Sequence, residues 1–156
     1  MQAGDLERIG DTEIRVWHPP PPDWERQRVR NDDSVVVELR QGDVSILLTG
    51  DIEREAERAL APRLALAPIV VLKAPHHGSA TSSTAALIAA ARPGAVVFSA
   101  GRRNPFGHPH PAILARYRGA GAEIFRTDED GAVVVDTDGG TATVRTHSGR
   151  VRVLSR

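Results

Sequence analysis

Cysteine is absent from this 156-residue sequence, which removes disulfides and thiolate metal sites and leaves the redox compartment open. Net charge is absent as well. Lys+Arg and Asp+Glu both total 20, so no global basic field draws the chain to nucleic acid or anionic lipid. That balance weighs against strong free-standing DNA binding, where several phosphate contacts would make affinity steeply salt-dependent. No apolar run approaches the roughly 20 residues that a membrane helix needs, and Met1 to Glu7 carries no signal-peptide pattern. The chain as given therefore reads as soluble. Internal repeats and low-complexity linkers are missing too, and the length suits one domain with a real core.

What is present alternates between strand and helix. Glu13-Ile14-Arg15-Val16-Trp17 alternates polar and apolar as a half-buried strand does, and the prolines from Pro19 to Pro22 stop it. The charged stretch Asp23 to Arg30 lacks helical periodicity and reads as a surface loop. Ser34 to Leu39 and Val44 to Thr49 are strands joined by the tight turn Arg40-Gln41-Gly42-Asp43, which predicts a hairpin. Asp51 to Leu66 suits a mostly exposed helix with acidic residues at its positive end. Ile69 to Leu72 reads as a strand buried on both faces. Ser82-Ser83-Thr84 caps a helix through Ala91, Ala95 to Ser99 is the next strand, and Pro111 opens a helix to Arg118. The remainder is β: Glu123 to Arg126, Ala132 to Asp136, Thr141 to His147 and Arg150 to Leu154. The pattern predicts an α/β fold with a mixed sheet, flanking helices and antiparallel hairpins at both ends.

Chemistry concentrates where strands end. The Ile69 strand empties into Lys73-Ala74-Pro75-His76-His77-Gly78-Ser79, and the Val44 strand empties into Gly50-Asp51. In α/β proteins ligands bind beyond the carboxyl ends of strands, and one carboxylate with two imidazoles is the ligand type that holds Zn²⁺ or Mn²⁺ in hydrolytic sites. Bland alternatives stand beside these readings. An aspartate at a strand-to-helix junction is commonly an N-cap, and one histidine of an adjacent pair can be core while the other is surface. A third loop, Gly101 to Pro111, carries Arg102, Arg103, Asn104, His108 and His110. His110 reads as solvent-exposed, whereas His108 and Asn104 could hold a phosphate oxygen or leaving group. Arg102 and Arg103 add local positive charge, and Asn31-Asp32-Asp33-Ser34 can be read as a turn.

Together these residues resemble the metallo-β-lactamase-like domain of ComEC-type DNA-internalisation competence proteins. The matching pieces are Asn31 to Val36, Leu47-Leu48-Thr49-Gly50-Asp51-Ile52-Glu53, Leu72 to Ser79, Ser99-Ala100-Gly101 with Asn104 and Gly107-His108-Pro109, and Arg126-Thr127-Asp128 with Gly131-Ala132. Their order and spacing hold from about Gly10 to Asp136. The resemblance implies an αββα metallohydrolase sandwich with divalent metals, Zn or Mn, at one edge. Asp51 would be shared between two metals, and His76 or His77, unranked, would ligate the second. His108 and Asn104 would contact the substrate phosphate, with Ser79, Asn31, Ser34 and Arg103 as further substrate contacts.

One departure qualifies this. The family's first-half HxHxDH or HxDxDH signature has no counterpart here. The chain is thus expected to be a single partial domain over 1–156, resembling the second half only: a fragment, a truncated reading frame, or a half-domain that pairs with another chain. The metal site is then incomplete, and an apolar face of Val, Ile and Leu should be left exposed or covered by a homodimer. The implied activity is a metal-dependent phosphodiesterase acting on DNA that degrades the strand that is not imported, with single-stranded DNA as the parent protein's partner, and the isolated chain is expected to be inactive. The family sits in the bacterial cytoplasmic membrane, with this domain expected outside the cytoplasm. The alternatives are a non-catalytic half-domain for assembly or DNA contact, and another hydrolysis, of a lactone or thioester.

Overall fold

The computed structural model describes residues 1–21 and 30–156, so all of the charged stretch from Asp23 except Arg30 lies outside the described residues. The chain begins with an antiparallel meander of β1 (Leu6–Ile9), β2 (Thr12–His18), β3 (Val36–Gln41) and β4 (Val44–Leu48). Gln41 pairs directly with Val44, which makes Gly42-Asp43 the hairpin turn anticipated from the sequence. Gly42 has φ +53°, and a Cβ there would lie 2.5 Å from the Gly139 carbonyl oxygen, so both backbone conformation and space require glycine.

From β4 the direction changes. Strands β5 (Ile69–Lys73), β6 (Ala95–Phe98) and β7 (Glu123–Arg126) add in parallel, separated by helices α1 (Arg54–Leu60), α2 (Ala85–Ala91) and α3 (Pro111–Gly119). The seven strands lie in sequence order. A short helix α4 (Thr127–Asp130) then carries the chain into a second, three-stranded antiparallel sheet of β8 (Val133–Thr137), β9 (Ala142–Thr146) and β10 (Val151–Leu154).

Alternation along the strands sorts side chains into two cores. Leu47, Leu72, Val96 and Phe98 meet Ala56 and Leu60 of α1, Ile88 of α2 and Ile113 and Tyr117 of α3. Val44, Ile69, Val71, Ala95 and Phe125 on the other face meet Ala142, Val144 and Leu154 of the small sheet. The layers are helices, large sheet, small sheet. This is the mixed α/β fold expected, and its core is fully closed at Leu47, Leu72, Ala95 and Phe98, each 0% exposed. The β1–β4 end is less covered: Leu6, Ile9, Val35 and Leu48 are exposed.

The first helix departs from the sequence reading in three ways. The helix from Asp51 starts at Arg54, because Glu53 is held extended (φ −117°, ψ −166°) with its N–H donated to Asp32 Oδ1 at 2.5 Å. It also ends early, in a 3-10 turn at Ala61–Arg63 that contains Pro62. That helix is not mostly exposed either. Glu57 is fully buried, accepting the Ser83 and Thr84 N–H groups at 2.5 and 2.6 Å. Burial pushes its carboxyl above the usual range against the pull of those amides.

A second ionic cluster seals the passage between the sheets. Asp130 accepts the Arg126 N–H at 2.9 Å and the Arg150 Nη1 at 2.9 Å, while Arg126 pairs with Asp128 at 2.6 Å. Arg150 also lies over the Phe125 ring, 4.6 Å from its centroid.

Candidate metal centre

Because β4, β5 and β6 are parallel and in step, Leu48 with Lys73 and Lys73 with Val97, the loops after them meet on one rim. Gly50 turns the first loop with φ +54°, and a Cβ on it would lie 2.7 Å from Ser34 Cβ. The turn delivers Asp51, whose Oδ1 stands 3.4 Å from His77 Nε2 and 3.8 Å from Lys73 Nζ. Lys73 is the sole lysine of the chain. Its ammonium donates to the Gly50 and Ala74 carbonyls at 3.0 and 3.1 Å, so it ties the two rim loops together. Burial lowers its pKa and the Asp51 carboxylate works to restore it.

The histidine doublet lies in a 3-10 turn, Pro75–Gly78, with both residues in the left-handed region, His76 at φ 44° and His77 at φ 54°. Each such non-glycine residue costs on the order of 1–2 kcal/mol. The surroundings hold them there. His76 N–H donates to the Gly50 carbonyl at 3.2 Å, and Ser82 Oγ donates to the Pro75 and Ser79 carbonyls at 2.9 and 3.0 Å. Gly78, at φ +83°, packs so tightly that a Cβ would lie 2.7 Å from the Phe98 ring and 2.8 Å from Pro109.

The two imidazoles part company. His77 Nδ1 is 2.6 Å from the Ser99 carbonyl, which can only accept, so Nδ1 carries the hydrogen and Nε2 is left facing Asp51. His76 instead points Nδ1 at Glu53 Oε1, 3.1 Å away. Thr81 Oγ1 donates to that same oxygen at 2.6 Å, and this bond, against some desolvation, holds the Glu53 carboxyl below its ordinary range. His76 is therefore orientated by a carboxylate that the sequence reading passed over, although Glu53 ends the Leu47-to-Glu53 string. Asp32 lies in the Asn31-to-Ser34 segment. It anchors Glu53 through its side chain, and its carbonyl accepts from His18 Nε2 at 2.5 Å.

The other candidate residues divide between the site and its scaffold. His108 joins the imidazoles, with its ring 5.8 Å from that of His76. Its Nδ1 is buried without a hydrogen-bond partner among the described residues, and burial lowers its pKa. Asn104 is committed to the loop: it donates to the Gly101 and His108 carbonyls at 3.0 and 2.7 Å and accepts the His108 N–H at 2.9 Å. Ser79 Oγ is buried and bonded to Thr81. Asn31 bonds Glu53, and Ser34 is the wall against Gly50. Arg103 is exposed at φ 58°, and Arg102 Nε donates to the Asp128 carbonyl at 3.2 Å. His110 is exposed as expected and also accepts the Ala112 N–H, capping α3. Thr127 binds both the N–H and the carbonyl of Ala100, which fixes the rim from below.

A carboxylate and an imidazole whose donor atoms face each other at 3.4 Å suit a shared cation, since ligands about 2.0–2.1 Å from a tetrahedral Zn²⁺ stand about that far apart. A catalytic zinc needs three protein ligands, however. Among the described residues no group of three or more His, Asp or Glu side chains converges. His76 is tied to Glu53, and Lys73 already stands on Asp51. These residues alone do not make a metal centre.

Residues 8–102 match the metallo-beta-lactamase superfamily, and the chain belongs to it. That superfamily generally uses divalent metals. Relatives sharpen the placement. The chain is 32% identical over 133 residues to ComE operon protein 3 of Bacillus subtilis (strain 168), covering 85% of this chain and 17% of that protein. It is 36% identical over 109 residues to Recombination protein 2 of Haemophilus influenzae (70% and 14%) and 34% over 106 residues to Competence protein ComA of Neisseria gonorrhoeae (66% and 15%). The chain thus spans about a sixth of the length of these relatives. The competence-protein resemblance of the five motifs is matched by these names.

Proposed function

We propose that this chain is one portion of a phosphodiester-hydrolysing domain of a DNA-uptake protein, acting on single-stranded DNA and degrading the strand that is not imported. Within that domain Asp51 and His77 are metal ligands, His108 contacts the substrate phosphate, and Asn104 sets the loop that presents His108. The remaining ligands are supplied by polypeptide outside the described residues, so the isolated chain is inactive. The single observation behind this reading is the facing of Asp51 Oδ1 and His77 Nε2 across 3.4 Å on a strand-end rim. Exposed Arg102 and Arg103 suit a phosphate better than an apolar acyl group, which disfavours lactone or thioester hydrolysis.

The test is cleavage of single-stranded DNA with Mn²⁺ or Zn²⁺, by the chain alone and after addition of the complementary part of the domain. Cleavage is expected only in the mixture, and it should disappear in Asp51→Ala and His77→Ala. An activity indifferent to both substitutions would sink the assignment.

A second reading, a non-catalytic half-domain for assembly, draws on Lys73. With an ammonium 3.8 Å from Asp51, the carboxylate is balanced without a metal. Titration calorimetry separates the two: no Zn²⁺ or Mn²⁺ uptake by the completed domain favours the assembly role. The exposed apolar residues of β1 and β4 would then serve as the contact, with a second copy or with the rest of the domain. No helix among the described residues is long and apolar enough to cross a membrane. In this reading the domain lies outside the cytoplasm.

A further inference from the structure

We infer that Phe106, stacked on His108, is a platform for a nucleobase of single-stranded DNA. The inference deepens the reading above and rests on its assignment of DNA as the ligand. Phe106 is 77% exposed. One exposed aromatic residue is ordinary by itself. What sets this one apart is where it is held and what it touches. Its ring lies nearly parallel to the His108 imidazole, 21° between planes and 5.9 Å between centroids. His108 in turn meets His76 edge-on at 5.8 Å, and His76 meets His77, the neighbour of Asp51, at 6.4 Å. A continuous line of rings therefore runs from the exposed phenyl face to the carboxylate on the rim.

The loop that carries Phe106 is braced. Asn104 clamps the backbone of His108 on both sides, Pro109 packs beneath Gly78, and His110 N–H donates to the Gly78 carbonyl at 2.9 Å. A base landing on this ring meets a surface already in place, so little ordering opposes the contact. Two arginines precede it in the same loop, Arg102 and Arg103, both exposed. Cationic side chains beside an exposed π-face are the combination by which single strands are held without regard to sequence. Bases in a duplex are already stacked, so the platform selects single strands. It also explains how a chain of zero net charge grips DNA: the contribution is stacking, with little demand on phosphate neutralisation.

The experiment uses the whole chain with EDTA, at low salt, and a short single strand bearing 2-aminopurine. Quenching on binding is expected, and Phe106→Ala should abolish it and weaken affinity about 5- to 150-fold. Phe106→Trp should restore both, and Phe106→Leu neither. A strand of abasic sites and a duplex should bind wild type and Phe106→Ala equally. Equal weakening for abasic and base-bearing strands, no change in Phe106→Ala, or no single-strand binding at all would each overturn the platform. Because EDTA removes metal, the readout is independent of hydrolysis. Quenching without cleavage in the completed domain would leave the platform standing and the hydrolase reading fallen, and cleavage without quenching would do the reverse.

Discussion

The rim around Asp51 and the cluster around Asp130 are made of the same kinds of residue and are finished differently. Around Asp130 every charge is answered. Three donors reach its carboxylate, the Arg126 N–H, Arg150 and the Ser148 hydroxyl, Arg126 is shared between Asp128 and Glu129, and Arg150 is stacked on Phe125 as well as paired. Around Asp51 the chain leaves groups turned toward each other and unfinished. His77 Nε2 and a carboxylate oxygen face across 3.4 Å, His108 Nδ1 lacks a partner among the described residues, and two histidines sit in strained backbone. Saturated polar networks lock a fold, whereas unsaturated strained ones mark sites that act on something else. On this contrast the Asp130 cluster is structural, and the rim is where the proposed activity would reside.

Substitutions can break or sharpen that division. The largest effect is expected from Asp51→Asn, which should lower DNA cleavage by the completed domain by more than the roughly 100-fold attributed to residues that only support metal ligands. Its melting temperature should stay within about 2 °C of wild type. Asp130→Ala should do the opposite, destabilising by about 2–3 kcal/mol and lowering the melting temperature by about 5–10 °C, with cleavage per folded molecule unchanged. A melting temperature that falls more for Asp51→Asn than for Asp130→Ala would erase the distinction.

The third prediction concerns pH. Burial works to raise Asp130, but the Arg126 N–H and Arg150 guanidinium outweigh it, and the carboxyl is held below its ordinary range. A depressed carboxylate contributes stability that is complete above the unfolded value, about 3.9, and lost as pH falls through the folded one. Asp130→Asn should therefore be less stable at pH 7, by about 1–2 kcal/mol, and should show a flatter loss below about pH 4 in urea titrations. The smallest effect is at the rim. His76→Gly relieves a left-handed residue and loses a partly exposed bond to Glu53, so urea unfolding should show anything from no change to a gain of about 1 kcal/mol. A clear loss there would mean that the doublet is structural.

Much of the fold was legible. The β3–β4 hairpin, the Thr84 cap of α2 and Pro111 at the start of α3 follow from local signals and appear where expected. The edge strand β1 was missed, because Leu6–Ile9 is exposed throughout and carries no alternation to read. Glu57 looked like surface because a buried carboxylate is recognisable only once its donors, more than 20 residues ahead, are in place. Legible from their positions after strands was that Asp51, the histidine doublet and His108 would share one rim, but not which imidazole would face Asp51. That His76 belongs with Glu53 was not legible either.

The sequence alone determined the order of strands and helices and the delivery of Asp51 and the histidine doublet to strand ends. Periodicity, prolines and glycines act over a few residues and need nothing distant. Tertiary structure decided which imidazole faces Asp51, which carboxylate is buried, and that Asn104 braces a loop while Phe106 stays open. The first two of these depend on hydrogen bonds between residues more than 20 positions apart, such as His77 with Ser99 and Glu57 with Ser83, and only the packed layers bring those partners together.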